Sequence, residues 1–248
     1  MITIKTPEEI KIIAEGGKIL ATVLAEVEKL VKPGITTIEL DRASEALILK
    51  HGARPAFKGY EGFPYSLCAS INEEIVHGLP SERILKEGDI IGLDLGVLYK
   101  GYNTDMAVTV PVGNISFEAK RLIMVTKKAL KRGIKKVRSG VTVGDIGNTI
   151  QRYIEDQGLG VVRDLCGHGI GKDLHEDPKI PNYGTRHKGE VLKEGMVICL
   201  EPMVTIGDWH IKKAKDGYGY ASRDGSLSAH FEHTMAVTKD GVRVLTDI

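Results

Sequence analysis

The sequence predicts an α+β fold made of two related halves that share one site at their junction. Three segments recur in chain order, and both copies of the longest end on an acid: Leu85–Asp94 and Leu192–Glu201, Gly34–Thr36 and Gly140–Thr142, Met106–Thr109 and Met235–Thr238. Internal repetition of this kind indicates a duplicated architecture. The copies of the last segment are spaced more widely than those of the first two, which predicts an insertion between about Glu201 and Glu232.

Four amphipathic helices are expected, two in each half. The first begins at Thr6-Pro7-Glu8-Glu9, where a capping residue, a proline and two acids suit the first turn of a helix. Its apolar residues follow the helical period, and the pattern ends at Lys32-Pro33-Gly34. The other three helices are predicted from a cap at Thr36 or Thr37 to Leu49, from Glu118 to Val137, and from Val143 to Gln157.

Four short apolar strands carry the acids of the repeat. They are expected at Asp89–Val97, Gly101–Val110, Met196–Glu201 and Glu232–Lys239, with a turn near Tyr99 to Gly101. Side chains alternate between the two faces of a strand. Asp94 therefore shares its face with Gly92 and Gly96, and the absence of side chains on these glycines predicts free volume for a bulky group beside the acid.

The remaining acids of the repeat are expected on equivalent faces. Glu232 shares a face with Thr234 and Ala236 and so lies on the face equivalent to that of Asp105, and Glu201 stands where Asp94 stands in the first copy. Four ionised carboxylates that meet in a core would repel one another and would be costly to desolvate. Two divalent cations would cancel their charge, so the pattern predicts a two-metal site. The alternative is four separate strand acids that face solvent.

Three histidines lie beside glycines or prolines. His168 is bracketed by glycines in Cys166-Gly167-His168-Gly169, His77 precedes a glycine, and His175 lies shortly before a proline. Glycines let the backbone approach closely and leave an imidazole unobstructed. The pattern favours loops at a site over a packed core, although a single histidine is more often an ordinary surface or core residue.

The composition argues against several classes of protein. The 248 residues carry 34 Lys and Arg against 33 Asp and Glu, a formal net charge of +1, which does not favour DNA or an anionic membrane as a partner. No apolar run is long enough for a transmembrane helix, and the N-terminus has no signal-peptide pattern. The three cysteines form no C-x-x-C pair, so no disulfide framework is expected. A cytoplasmic location is the expectation.

An ordered set of motifs runs along the chain: Asn72 to Pro80, Asp94 with Asp105, Cys166 to Gly171, His175 to Pro178, Glu201-Pro202-Met203 and Ser228 to Thr234. Together these motifs resemble the type I methionine aminopeptidases over residues 3 to 246. The resemblance implies the pita-bread fold, in which a curved antiparallel sheet and flanking helices form two pseudo-twofold-related halves. It also implies a single catalytic domain over residues 1–248, with halves of about 1–113 and 114–248.

The resemblance further implies a dinuclear metal centre. The residues that match its five ligands are Asp94, Asp105, His168, Glu201 and Glu232. Asp105 and Glu232 would bridge both ions. Asp94 would hold one ion, and His168 with Glu201 the other. Oxygen-rich ligands with one nitrogen suit Co²⁺, Mn²⁺ or Fe²⁺ without choosing among them. A bridging water, deprotonated near neutral pH, would attack the scissile carbonyl, and Glu201 would move its proton.

Further site residues are implied by the same resemblance. His77 and His175 match two histidines that are not ligands; one would stabilise the oxyanion, a role for which His175 is favoured, and the other would position the substrate and assist the leaving amine. The residues expected around the bound methionine are Tyr60, Phe63, Cys68, His77, Leu174, His175 and Tyr218. Asn72 and Ser228 match a site for a monovalent cation.

The expected activity is removal of the initiator methionine from nascent proteins and peptides whose second residue is small. The protein is expected to act as a monomer on polypeptide N-termini that begin with Met, without DNA or membrane as partners. A row of basic residues on the third predicted helix is ordinarily a solvated face, and transient contact with the ribosome is the alternative: Lys127, Lys128, Lys131, Arg132, Lys135 and Lys136.

Three rival classes share features with this sequence. An aminopeptidase P or prolidase of the same fold usually carries an additional N-terminal domain, for which 248 residues are expected to leave no room. A non-catalytic pita-bread binding module should lack several metal ligands, whereas all five are present. A metal-free amidinohydrolase-like enzyme should lack the same set of acids.

Overall fold

The computed structural model describes residues 2–247, which form four α-helices and fifteen strands. The helices are α1 Pro7–Glu28, α2 Thr37–Lys50, α3 Phe117–Ile134 and α4 Val143–Glu155. The strands are β1 Arg54–Pro55, β2 Leu67–Ile71, β3 Glu74–Val76, β4 Ile90–Tyr99, β5 Tyr102–Pro111, β6 Gly160–Val161, β7 Cys166–Gly169, β8 Glu176–Pro181, β9 Val197–Leu200, β10 Met203–Thr205, β11 Ile211–Lys213, β12 Tyr220–Ser222, β13 Ser228–His230, β14 Glu232–Thr238 and β15 Gly241–Val244. None of the described helices is long and apolar enough to cross a membrane.

Side-chain caps explain where the helices begin. Thr6, Thr36 and Thr142 cap α1, α2 and α4 with a reciprocal pair of hydrogen bonds: the hydroxyl accepts from a backbone N–H of the first turn, and an acid of that turn accepts from the threonine N–H. The cap of α2 is therefore Thr36 rather than Thr37. α1 ends at Glu28, before the predicted stop at Lys32-Pro33-Gly34. The backbone N–H groups of Leu30 and Val31 donate to carbonyls three residues earlier, and these bonds form a tighter final turn in place of the α-helix.

One antiparallel sheet joins the two halves. Within the described residues it contains nine strands in the order β1-β4-β5-β14-β9-β7-β8, with β2 added to β4 and β15 added to β14. The β4–β5 hairpin has its turn at Lys100 and Gly101, where the sequence predicted one, and the structure shows both residues in the left-handed region. β14 pairs with β5 at its first residues and with β9 along most of its length, so this strand connects the halves.

The repeated segments make the same backbone contacts in both halves. The N–H of Gly34 donates to the carbonyl of Leu85 at 2.9 Å, and the N–H of Gly140 donates to that of Leu192 at 2.9 Å. In both copies the leucine N–H returns to the residue that follows the glycine, at 2.8 Å. The halves therefore resemble each other in backbone contacts as well as in sequence.

Each half packs its helices against one part of the sheet. The first hydrophobic cluster joins α1 and α2 to β2 and β4, through residues that include Leu20, Leu24, Leu40, Ile91, Leu93 and Leu95. The second joins α3 and α4 to β9 and β14, through residues that include Leu122, Ile146, Ile150, Ile198 and Met235. The odd-numbered residues of β4 thus face the helices, as predicted, and the opposite face of the sheet carries Asp94.

The predicted insertion lies between Glu201 and Glu232 and contains β10 to β13. Its strand β12 pairs with β3 of the first half, with Tyr220 opposite Val76. The insertion therefore brings second-half residues across to the first half, beside the face of the sheet that carries the acids.

Candidate metal centre and substrate cavity

The four acids of the repeat meet on one face of the sheet. Asp94 of β4 and Glu232 of β14 both pair with Ala107 of β5, from opposite sides of that strand. Asp105 lies two positions before Ala107 and therefore shares its face. Glu201 directly follows β9, the other neighbour of β14. The pairing of β14 with both strands is what brings acids from the two halves together.

Three groups of side chains in the described chain could each hold a cation. The ligand atoms of each group lie within 4.8 Å of one another, and the groups are Asp94, Asp105 and Glu232; Glu201, His230 and Glu232; and His168, Cys199 and Glu232. Glu232 belongs to all three, so it lies at the middle of the cluster. A carboxylate shared in this way is suited to contact more than one cation.

Burial and neighbouring charge make the ionised acids costly without a cation. Asp94, Asp105 and Glu232 are 8%, 4% and 3% exposed. Burial raises the pKa of Asp94 to about 7. Burial, together with the charges of Glu232 and Asp94, raises the pKa of Asp105 well above its usual range. Burial likewise raises the pKa of Glu201 and of Glu232 well above the ordinary value.

Several polar atoms of the cluster have no hydrogen-bond partner within residues 2–247. They are Oδ1 of Asp94, Oδ1 of Asp105, Oε1 of Glu232 and Nε2 of His230. Buried polar atoms in folded proteins are nearly always paired. Acceptor atoms that face one another without donors between them are what a cation site requires, so the residues fit a divalent-metal centre.

His168 lies on strand β7 and not in a loop, so that prediction was wrong. The glycines beside it serve close packing between strands: a Cβ at Gly167 would lie 2.3 Å from the carbonyl oxygen of Cys199, and one at Gly169 would lie 2.2 Å from that of Asp177. The side chain of His168 is held by this packing, which explains why glycines surround it.

His168 presents a neutral nitrogen to the acids. Its Nδ1 donates to the carbonyl oxygen of Gly169 at 2.9 Å, so Nε2 carries the lone pair. Nε2 lies 3.7 Å from Oε1 of Glu201 and 3.9 Å from Oε1 of Glu232, too far for hydrogen bonds. Burial lowers the pKa of His168 to about 4. A neutral imidazole of this kind suits a cation between it and the carboxylates.

The other two predicted histidines lie beside strand ends. The hydroxyl of Tyr60 is 3.0 Å from Nδ1 of His175, whose ring meets that of His168 edge to face at 4.4 Å. His77 has a left-handed φ of 58° and contacts the ring of Tyr220 edge to face. Burial lowers the pKa of His175, and it lowers that of His77 to about 4. Both imidazoles are therefore neutral near pH 7.

A cavity of about 360 Å³ lies over the centre. It is lined by the five predicted ligands, by His77 and His175, and by the residues predicted for the methionine side chain, which are Tyr60, Phe63, Cys68, Leu174 and Tyr218. A second cavity of about 770 Å³ shares His77, His168, His175 and Glu201 with the first. The structure therefore brings all these side chains together, and their individual roles stay predictions.

Phe57 occupies part of the space beside Asp94 that the sequence predicted to be free for a bulky group. The glycines beside Asp94 predicted free volume, but a Cβ at Gly96 would lie 2.5 Å from the ring of Phe57. A Cβ at Gly92 would make only ordinary contacts, the nearest at 3.6 Å from Ser70. The prediction was wrong at Gly96, because there the glycine admits an aromatic ring of the same chain.

His230, which is not among the residues predicted from the sequence, lines the same cavity and is 3% exposed. His230 stands two positions before Glu232. The alternation that placed Glu232 on the acid face, extended back by one step, points to this histidine.

Asn72 and Ser228 contact each other but do not line the cavity. The hydroxyl of Ser228 donates to the carbonyl oxygens of Glu74 at 2.9 Å and Asn72 at 3.1 Å. Asn72 has a left-handed φ of 59°, and its side-chain amide donates to Asp89 at 2.8 Å. Oxygen atoms of both predicted residues thus converge, and a monovalent cation there stays a prediction.

Comparison with known proteins extends these observations. The chain matches metallopeptidase family M24 over residues 11–239. It is 48% identical over 248 residues to methionine aminopeptidase 1 of Bacillus subtilis, and the match covers 100% of both chains. The crystal structure of methionine aminopeptidase from Thermotoga maritima matches with a TM-score of 0.98 at 44% identity, again over 100% of both chains.

A more distant structure shows the same architecture. The prolidase of Pyrococcus furiosus matches with a TM-score of 0.80 at 26% identity, over 99% of this chain and 65% of that one. These likenesses confirm the predicted α+β pita-bread fold and the resemblance to methionine aminopeptidases. The chain therefore belongs to metallopeptidase family M24.

Proposed function

We propose that this protein is a metal-dependent aminopeptidase that removes the N-terminal methionine from nascent proteins and peptides whose second residue is small. The observation that carries this proposal is the meeting of three buried carboxylates, the half-buried Glu201, His168 and an apolar wall around one cavity. The names of the close relatives support the choice of substrate. We also propose one catalytic domain over residues 1–248, acting as a monomer, with halves of about 1–113 and 114–248.

The proposed cofactor is a pair of divalent cations, Co²⁺, Mn²⁺ or Fe²⁺. Asp105 and Glu232 would contact both ions, Asp94 would hold one, and His168 with Glu201 would hold the other. When bound, the cations neutralise the acids and lower the pKa of water toward neutrality, which supplies a nucleophile for a carbonyl carbon. The unpaired oxygens of the acids support this assignment.

Glu201 is the proposed proton carrier. Glu201 lines both cavities and therefore lies where the two cavities meet. The side-chain amide of Asn182 donates to its backbone carbonyl at 2.9 Å and holds the end of β9 in place. From this position Glu201 would accept a proton from water and pass it to the leaving amine.

His175 is the proposed donor to the oxyanion. In the tautomer in which the hydroxyl of Tyr60 donates to Nδ1 of His175, the neutral ring would carry its proton on Nε2. A neutral imidazole N–H stabilises the charge that develops on a carbonyl oxygen as a peptide bond is attacked. His77, which lines both cavities, would position the substrate and assist the leaving amine.

The apolar wall is the proposed methionine pocket. Phe63 and Tyr218 meet edge to face at 5.6 Å, and Leu174 is 4% exposed. Cys68 of β2 pairs with Asp94 of β4 and so shares its face, which places the pocket beside the metal centre. A thioether side chain held there, in contact with sulfur and aromatic rings, would bring the first peptide bond to the cations.

The larger cavity is the proposed path for the rest of the peptide. It meets the methionine pocket at His77, His168, His175 and Glu201, so the second residue would pass between these side chains. Three imidazoles and a carboxylate border this passage, and we expect a small second side chain to fit between them best.

Two further contacts are proposed from the sequence. Asn72 and Ser228 would take part in a monovalent-cation site. The basic face of α3 would make a transient contact with ribosomal RNA, since nascent N-termini emerge at the ribosome. Charge reversal of Lys128, Lys131 and Lys135 should then reduce cosedimentation with ribosomes, and unchanged cosedimentation would exclude this contact.

The function is tested by release of the first residue from Met-Ala-Ser, Met-Leu-Ser and Ala-Pro-Ser. Chelated protein should be inactive, and each of Co²⁺, Mn²⁺ and Fe²⁺ should be tried for recovery. We expect free methionine from Met-Ala-Ser, much slower release from Met-Leu-Ser and no alanine from Ala-Pro-Ser. Activity that survives complete metal removal would contradict the mechanism, and cleavage of Ala-Pro-Ser alone would indicate specificity for bonds before proline.

A further inference from the structure

We propose that His230 is a second imidazole ligand of the metal centre, in addition to His168. This inference rests on the proposed function only in requiring divalent cations at the acids. It adds a nitrogen donor to the five ligands implied by the family resemblance.

His230 is buried and its ring nitrogen lacks a partner. The residue is 3% exposed, and Nε2 has no hydrogen-bond partner among the described residues. A buried polar atom left in this way is rare and costly in folded proteins. The atoms that Nε2 faces are Oε2 of Glu201 at 3.7 Å and Oε2 of Glu232 at 3.8 Å. Both distances are too long for hydrogen bonds.

The two imidazoles are placed alike around the same pair of carboxylates. His168 faces the Oε1 atoms of Glu201 and Glu232 at 3.7 and 3.9 Å, whereas His230 faces their Oε2 atoms. Each carboxylate thus turns one oxygen to each ring. Two ligand atoms that lie about 2.1 Å from one cation are at most about 4.2 Å apart. The separations around His230 therefore have the size expected across a bound cation.

The backbone holds His230 firmly in this position. On β13 it pairs with Met203 of β10. The hydroxyl of Thr109, on β5, accepts from the N–H of His230 at 2.9 Å and donates to its carbonyl oxygen at 2.9 Å. Because β5 also carries Asp105, the histidine and that acid are fixed to the same strand. A ligand placed by two strands and a side-chain clamp is already oriented before the metal binds.

A second imidazole should change which metals bind tightly. Imidazole suits Fe²⁺, Zn²⁺ and the later divalent ions, whereas carboxylate-rich sites suit Mn²⁺. Loss of His230 should therefore weaken Co²⁺ binding more than Mn²⁺ binding.

The test compares the full-length wild type with His230→Ala and His230→Gln, and uses His233→Ala as the matched control. His233 is a nearby histidine whose Nδ1 is bonded to the hydroxyl of Thr246 at 2.9 Å. Each protein is stripped with chelator and titrated with Co²⁺ and with Mn²⁺ by calorimetry. X-ray absorption of the Co²⁺-loaded proteins then counts the imidazole ligands. Thermal unfolding of each variant verifies that it is folded.

The expected result is two imidazole ligands in the wild type and in His233→Ala, and one in both His230 variants. Co²⁺ affinity should fall about 10- to 100-fold in His230→Ala, and Mn²⁺ affinity should fall less. An equal imidazole count in wild type and His230→Gln would overturn the proposal, as would unchanged Co²⁺ affinity in His230→Ala. A wild type that binds no divalent ion would overturn the proposed function as well, whereas metal-dependent methionine release with a single imidazole would overturn this inference alone.

Discussion

The two halves of the molecule hold equivalent acids by different means. In the first half, Asp94 and Asp105 lie on one hairpin that is closed by a two-residue turn. In the second half, Glu201 directly follows β9 and Glu232 begins β14, and these neighbouring strands are separated along the chain by the insertion. The first half thus places its acids by local pairing, whereas the second depends on contacts between residues far apart in sequence.

The halves also differ in what they add to the acids. The nitrogen donors near the carboxylates, His168 and His230, both come from the second half. Cys68, Phe63 and Tyr60, on the apolar wall of the cavity, come from the first. The repeated strands thus place four acids in one common arrangement, whereas the side chains around the acids differ between the halves.

The largest expected effect tests whether both halves serve one centre. Asp105→Asn and Glu232→Gln should each lower methionine release from Met-Ala-Ser by at least about 10³-fold, more than the 10–100-fold that loss of an outer partner of a ligand costs. Metal content measured on the purified variants should fall in both. Glu118→Gln serves as the control, because Glu118 is exposed on α3, and it should change neither quantity. A full metal complement in one of the two acid variants would show that the halves do not share the ions.

The next effect separates His168, a proposed metal ligand, from His175, its proposed catalytic neighbour. His168→Ala should lose metal, because Nε2 faces two of the acids. His175→Ala should keep its metal and lower turnover about 100-fold, as loss of one oxyanion donor does. Elemental analysis and steady-state kinetics on both variants decide the matter. Equal metal loss in the two variants would mean that His175 is also a ligand.

A smaller effect concerns the stability of the metal-free protein. The pKa of Asp94 is about 7 in the folded chain and about 3.9 in an unfolded one, so the folded state binds this proton more tightly. The tighter binding of this proton by the folded state contributes fully to stability below about pH 4, and the contribution is lost as the pH rises through about 7. The Tm of chelated protein should therefore fall from about pH 5 to about pH 8.

Two comparisons sharpen that pH profile. Asp94→Asn should flatten the fall in Tm of the chelated protein, and added metal should flatten it in the wild type, because paired carboxylates no longer repel one another. Differential scanning calorimetry across this range provides the measurement. Identical slopes for chelated wild type and chelated Asp94→Asn would contradict the pKa assigned to this acid.

The smallest effect tests how alike the two halves are at their helix caps. Thr36→Ala and Thr142→Ala each remove the hydroxyl of a reciprocal cap and should each lower stability by about 1 kcal/mol. For a chain of this size the Tm should fall by about 2–4 °C in each case. Thr22→Ala, within α1, is the control and should leave the Tm unchanged or slightly higher, since alanine favours helix. Unequal losses at Thr36 and Thr142 would show that the halves depend on their caps to different degrees.

The helices and the strands that carry the acids could be predicted from the sequence because the interactions that form them are local. The caps at Thr6 and Thr142 follow from side chains that bond within one helical turn. The face of Asp94 follows from the alternation of residues along a strand. The turn at Lys100 and Gly101 was likewise expected near this position, and the structure adds that both residues are left-handed.

The exceptions arise where distant residues share space. Phe57 fills the volume over Gly96, and no local pattern distinguishes a glycine that admits a ligand from one that admits a ring. His168 lies on a strand because its glycines pack against β8, which follows after a short loop, and against β9, which lies much farther along the chain. The packing of separate segments decides both features.

The sequence by itself predicted the duplication, the helix starts, the strand faces and five of the residues that could bind metal. Only the tertiary structure decided that Glu232 lies in the middle of the cluster, that His230 faces the same carboxylates as His168, and that the insertion reaches across to the first half. The physical reason is that periodicity and caps act within a few residues, whereas the meeting of buried atoms depends on how β14 pairs with strands from both halves.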